Sequence, residues 1–228
     1  MKMKLTVIVI ALAMALMGCG NQNTQNTQST PNTQSTPEKE YTLEENIGQM
    51  LLVGFRGTEV SYEQNLDIIC ALRDYHVGSV ILFDYDAPTG KRGRNIQSAE
   101  QLRHLCSQLR EWNPDLLIGI DQEGGYVSRL STRYGFPKIP SAKRLAAMGD
   151  DSLLHYAALT GEMLESVGIN LDFAPVADVD VNPRCPVIGG IERSFSADAG
   201  RVRECCLLWI SLLPCRPPIP VNGMNWRI

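Results

Sequence analysis

The chain has 228 residues, a formal net charge of -4 and 44% hydrophobic content, an ordinary composition for a soluble globular domain. No strongly basic patch points to nucleic acid, and the seven cysteines follow no zinc-site spacing, so neither a nucleic-acid partner nor a metal is expected.

In chain order, residues 1–19 read as a signal peptide. Lys2 and Lys4 precede an apolar run from Leu5 to Met17, which is too short for an ordinary spanning helix. Leu16-Met17-Gly18-Cys19 has the form of a bacterial lipobox, so Cys19 is the expected lipidation site and a membrane the expected partner through that anchor. The expected location is therefore the cell envelope, outside the cytoplasm. Residues 20–40 are rich in Asn, Gln, Thr, Ser and Pro, and repeat Asn-Thr-Gln-Ser-Thr-Pro. With almost nothing apolar to bury, they predict a disordered tether.

The foldable part spans residues 41–203. Thr42-Leu43-Glu44-Glu45 is a capping box that starts a short helix. Met50 to Phe55 reads as a first strand. Glu63 to Tyr75 reads as a helix with Leu66, Ile69, Leu72 and Tyr75 at helical spacing. Val77 to Phe83 is a buried strand, and Ser98-Ala99-Glu100-Gln101 is a second capping box. The helix it opens turns Leu102, Leu105, Cys106 and Leu109 inward. Leu116 to Ile120 is a third strand. Ser152 to Val167 is a helix stopped by Gly168, and Ile169 to Val179 is a fourth strand. Alternating helices and continuously apolar strands predict an α/β protein with a parallel sheet, either doubly wound or closed as a barrel. Both architectures put their sites at the C-terminal strand ends.

Those ends are polar. Strand two runs into Phe83-Asp84-Tyr85-Asp86, and strand three into Asp121-Gln122-Glu123-Gly124-Gly125, with Arg129 close behind. Strand four carries Asp172 and leads to Asp178 and Asp180, and Arg193 follows. Carboxylates that accept from hydroxyls, beside arginine forks that donate, suit a polyhydroxylated ligand. The paired glycines would let the backbone approach such a ligand closely.

Four strings in order resemble glycoside hydrolase family 3, in its β-N-acetylhexosaminidase branch. They are Ile47-Gly48-Gln49-Met50 with Val80-Ile81-Leu82-Phe83; Ile118 to Gly125 with Val127 and Arg129; Gly168 to Val179; and Pro186 to Gly189 with Glu192-Arg193-Ser194-Phe195. The resemblance implies a (β/α)8 TIM-type barrel, of which about the first half is present, and retaining hydrolysis of terminal β-linked N-acetylhexosamine residues in cell-wall or related glycans. It assigns Asp121, Arg129 and Arg193 to substrate binding and implies no metal or organic cofactor. In that branch the acid/base is a His on a loop after a Lys-His-Phe-Pro-Gly-His-Gly segment, and the nucleophile is an Asp on a later strand. This sequence has no such segment, and its three histidines, His76, His104 and His155, match none of it. No catalytic residue is therefore assigned, and the chain is expected to be inactive as it stands. A non-catalytic, sugar-binding envelope lipoprotein is the alternative. Residues 204–228, dense in Cys and Pro, read as an aberrant tail of the kind a frameshift or truncation after about residue 200 leaves. A half barrel with an open edge strand is expected to dimerise or aggregate.

Overall fold

The computed structural model describes residues 41–212. The expected signal peptide with Cys19, the expected tether and residues 213–228 lie outside them. Helix α1 (Leu43–Gln49) starts with the expected reciprocal cap: the Thr42 amide donates to Glu45 Oε2 at 2.8 Å and the Glu45 amide to Thr42 Oγ1 at 3.2 Å. Strand β1 (Leu52–Gly54), helix α2 (Leu66–Arg73) and strand β2 (Ser79–Ile81) follow. A hairpin of β3 (Tyr85–Asp86) and β4 (Lys91–Arg92) precedes helix α3 (Ala99–Trp112) and strand β5 (Leu117–Ile120). A second hairpin, β6 (Gln122–Gly124) with β7 (Val127–Ser128), leads to helices α4 (Ala142–Met148) and α5 (Asp150–Val167). Strand β8 (Leu171–Asp172) and helix α6 (Ala199–Leu212) end the described chain.

The main sheet has the order β1-β2-β5-β8 with every pairing parallel. Chain order and spatial order coincide. A doubly wound sheet would reverse direction at a switch point, whereas a barrel adds each strand beside the last. The four strands therefore form the first arc of a (β/α)-barrel, with their C-terminal ends on one rim.

The core sits between this sheet and its helices. Leu102, Leu105, Cys106 and Leu109 of α3 are all essentially inaccessible and pack with Val80, Ile118 and Ile120 of the sheet, as the helical spacing predicts. Helix α2 differs from expectation. Ile68, Ile69 and Leu72 face the core, while Leu66 and Tyr75 are exposed, so the buried stripe is turned toward Ile68. The second capping box is only half made. Ser98 Oγ accepts from the Gln101 amide at 3.1 Å, but the Gln101 side chain turns away and donates to the carbonyls of Thr58 and Asn95. Gln101 Oε1 meanwhile accepts from the Gln97 amide at 2.8 Å, one residue before the Ser98 cap, so the reciprocal bond is displaced by one residue.

The fourth strand is far shorter than its apolar run. Gly168 stops α5 in the left-handed conformation, as expected, and the Ile169 amide reaches Leu164 O. Asn170 adds its side chain to the ladder: its amide donates to Ile118 O at 3.2 Å, while its side chain accepts from the Ile118 amide at 2.7 Å and donates to Leu116 O at 3.1 Å. Past Asp172 the Phe173 amide still donates to Ile120 O, but Pro175 has no amide to continue the ladder. The segment leaves the sheet and runs over α6. Residues 204–212 belong to α6, where Cys205 and Trp209 are buried against the core.

Because Leu105 is fully enclosed between α3 and the sheet, Leu105→Ala is expected to destabilise the fold by about 2–5 kcal/mol. Tyr75→Ala, at an exposed position two residues past α2, is expected to change stability by no more than about 0.5 kcal/mol. Urea unfolding followed by far-ultraviolet circular dichroism measures both.

Candidate functional site at the C-terminal rim

Each barrel strand delivers charge to the same rim. Arg56 lies two residues past β1. Asp84 and Asp86 follow β2, and Asp121 and Glu123 follow β5. Asp172 closes β8 and Arg193 arrives on the loop before α6. Loop geometry is fixed by buried amides. Asn95 accepts from the Phe83 amide at 3.0 Å and donates to Gly57 O at 2.9 Å, tying the loop after β1 to that after β2. Gln122, fully buried, donates to Ser128 Oγ and accepts from the Leu130 amide, both at 2.9 Å. It thereby closes the β6–β7 hairpin and sets the position of Arg129.

Two of the three residues singled out in the sequence meet directly. Arg129 Nη2 lies 3.0 Å from Asp121 Oδ2, and its Nη1 lies 3.7 Å from Asp84 Oδ1. The third, Arg193, grips Glu123 instead. Its Nε and Nη2 each donate at 2.7 Å to one carboxylate oxygen, a fork-to-fork pair that raises the guanidinium pKa. Asp121 acts on Arg193 through space in the same direction, so the two ion pairs share one rim.

Asp172 is the exception among the rim acids. One oxygen accepts from the Gln122 amide at 2.9 Å, while Oδ2 has no hydrogen-bond partner among the described residues. Burial pushes its pKa up to about 7. The neighbouring charges of Asp121 and Glu123 add to the rise, and the Gln122 and Phe173 amides oppose it.

Several sequence readings change. Gly124 and Gly125 do adopt positive φ, +86° and +59°, but their closeness serves the chain itself. A Cβ on Gly124 would strike Pro140 O, one on Gly125 would strike Ser141, and the Gly125 amide donates to Ile139 O. The glycines dock the hairpin on the segment before α4, not on a ligand. Asp178 and Asp180 lie beyond β8. The Asp178 carbonyl accepts from Ser194 Oγ at 2.6 Å, and Asp180 is buried with Lys143 Nζ at 3.4 Å, so both pin the loop that carries Arg193. Glu123, Asp84, Asp86 and Arg56 had no assigned role, although their strand-end positions were the available signal. The three histidines are all exposed and stand away from the rim: His104 and His155 on α3 and α5, and His76 ahead of β2.

Fold and rim together define a (β/α)-barrel domain with a carboxylate–arginine site on its C-terminal face. The chain belongs to glycosyl hydrolase family 3, whose N-terminal domain matches residues 42–211. It is 37% identical over 132 residues to a beta-hexosaminidase of Pseudomonas aeruginosa, an overlap of 57% of this chain and 36% of the relative. Against a beta-hexosaminidase of Neisseria meningitidis it is 32% identical over 165 residues, 68% of this chain and 40% of the relative. Among solved structures, a family 3 beta-N-acetylglucosaminidase from Paenibacillus sp. superposes with a TM-score of 0.66 at 31% identity, over 76% of this chain and 31% of that one. A beta-N-acetylhexosaminidase from Beutenbergia cavernae gives 0.63 at 29% identity, over 76% and 51%. The chain thus spans little more than a third of the length of the curated relatives it matches.

Asp172 leads to a pH dependence. Its folded pKa of about 7 stands above the ordinary 3.8, so between these values the folded protein keeps a proton that the unfolded chain releases. The contribution of Asp172 to stability therefore falls as pH rises from about 4 to 7 and levels off above. In Asp172→Asn this fall should disappear, so the variant gains on the parent as pH rises. Urea midpoints of both proteins at pH 4.5 and 7.5 are the check; parallel changes in the two would remove the assignment.

Proposed function

We propose that the rim holds a terminal β-linked N-acetylhexosamine residue, with Asp121 accepting from ring hydroxyls and Arg129 and Arg193 fixing the pocket around it. The observation that carries this reading is the Arg129–Asp121 pair at the end of β5, 3.0 Å apart and about one quarter exposed on both sides, beside the Arg193–Glu123 fork. Side chains held by their own ion pairs present fixed acceptors and donors to a ligand, which lowers the cost of ordering it. The beta-hexosaminidase names of the relatives support this sugar class.

Retaining hydrolysis needs a nucleophile and an acid/base on either side of the scissile bond. Among the described residues the histidines lie off the rim, and Asp121 and Glu123 are each engaged by an arginine. We therefore assign the described residues the holding of the sugar in a hydrolase lineage that acts on cell-wall or related glycans. The second reading, a sugar-binding envelope lipoprotein without turnover, draws on the same observation.

Titration of the full chain with N-acetylglucosamine, followed by NMR or calorimetry, should give saturable binding that Asp121→Ala weakens by at least about tenfold, the worth of a lost charged hydrogen bond. A chromogenic N-acetyl-β-glucosaminide should not be turned over. Release of chromophore would assign the chain cutting as well as holding, and binding indifferent to Asp121→Ala would overturn the site. Anchoring through lipidated Cys19 is proposed with it. Wild-type protein expressed in a bacterial host should sediment with membranes, and Cys19→Ala should shift it to the soluble fraction.

A further inference from the structure

A second, open recess on the same rim is lined by Arg56, Asp86, Thr89, Lys91, Arg92 and Arg94, with a volume of about 230 Å³. The β3–β4 hairpin forms one wall, with Tyr85 opposite Arg92 and Asp86 opposite Lys91. The loop after β1 supplies Arg56. Four cations face this space. Even when Asp84, which sits behind Arg92, is counted with Asp86, four positive groups meet two carboxylates.

The cations are set in place by the chain itself. Asp86, with its side chain nearly inaccessible, takes both Nε and Nη2 of Arg56, the latter at 2.9 Å, and lies 3.6 Å from Arg94 Nη1. Its other bonds close the hairpin turn: Thr89 Oγ1 donates to Oδ2 at 2.6 Å, and the Gly90 amide to its carbonyl at 2.8 Å. Arg94 donates to Phe55 O at 2.9 Å and lies over the Phe83 ring at 4.8 Å. Burial and the neighbouring Arg56 push its pKa down, the direction expected where cations are crowded. Arg92 spends one nitrogen on Asp84 at 3.0 Å, and Lys91 makes no ion pair among the described residues. Donors on Arg92, Arg94 and Lys91 therefore remain for a ligand, while the geometry of the wall is already fixed.

We propose that this recess is an oxyanion subsite that takes a phosphate or carboxylate group. Guanidinium forks match the oxygens of such groups in pairs, and an ammonium adds a point charge. The subsite adjoins the sugar rim, because Arg92 and Arg129 share Asp84. The oxyanion arrives either free or as an acidic substituent on a saccharide. The subsite stands on its own charges and does not depend on the sugar reading.

Calorimetric titration of the full chain with sodium phosphate, at an ionic strength held constant with sodium chloride, tests it. Saturable binding is expected, weakened by at least about tenfold in the Arg56→Gln/Lys91→Gln double variant. Should the double variant not fold, Lys91→Gln alone, at an exposed position with no ion pair, still has to weaken binding. N-Acetylglucosamine 6-phosphate and neutral N-acetylglucosamine form the other arms. Tighter binding of the sugar phosphate than of phosphate, with the same loss in the variants, assigns the oxyanion to a saccharide. Equal or weaker binding assigns it to a free ion. Neutral sugar should be indifferent to Lys91→Gln whether or not it binds, which separates this subsite from the site at Asp121. No saturable phosphate binding up to about 10 mM, a range that covers even millimolar affinity, or binding unchanged in both variants, would overturn the proposal.

Discussion

Carboxylates that end parallel strands stand at the margin of a dry sheet, where an ionised acid is costly unless a cation meets it. The rim depends on how this is resolved. The side chains of Asp84, Asp86 and Glu123 are each less than one tenth exposed, and each has an arginine within hydrogen-bond distance. Asp172 has none, and its carboxyl keeps its proton up to about pH 7. The contrast between Asp172 and its neighbours isolates the part the arginines play: where they reach, the acid is fixed in an ion pair, and at Asp172, where none does, burial pushes the carboxyl toward its neutral form.

The arginines come from elements far apart in sequence, so the same pairs that neutralise the acids also stitch the barrel arc together. Arg56 carries the loop after β1 to the hairpin after β2, Arg129 carries the hairpin after β5 back to Asp84, and Arg193 carries the loop before α6 to Glu123. Backbone fit completes the work at Gly124 and Gly125, which let the β6–β7 hairpin close on Ile139 to Ser141.

What the sequence reveals follows from how local each signal is. The Thr42 cap, the α3 stripe and the Gly168 stop depend on residues within about two turns of one another, and all three form as the sequence suggests. The end of β8 depends on Pro175 and on which amides find partners across the sheet, so an apolar run from Ile169 to Val179 yields only two ladder residues. Helix α2 presents Ile68 in place of Leu66 because the packing of neighbouring elements selects the face. Asp121, Arg129 and Arg193 could be picked out individually. The partnership of Arg193 with Glu123 spans 70 residues, and no spacing rule reaches that far. The two short hairpins are equally silent in the sequence, and one of them builds the cationic recess.

The same network constrains how a ligand can enter. Arg129 and Arg193 are already held by carboxylates, so an incoming sugar would add to the ion pairs instead of replacing them. A carboxylate has about four acceptor positions, and the Arg129 contact falls on Asp121 Oδ2. Oδ1 remains able to accept from a hydroxyl while the pair stays intact. Binding of that kind requires little reorganisation and leaves the charge balance of the rim unchanged. The recess at Arg56 and Lys91 differs, because an anion entering there would neutralise an excess that the chain itself leaves uncompensated. Recognition at Asp121 thus rests on geometry and recognition at the recess on charge, and only the second should weaken steeply as salt is raised.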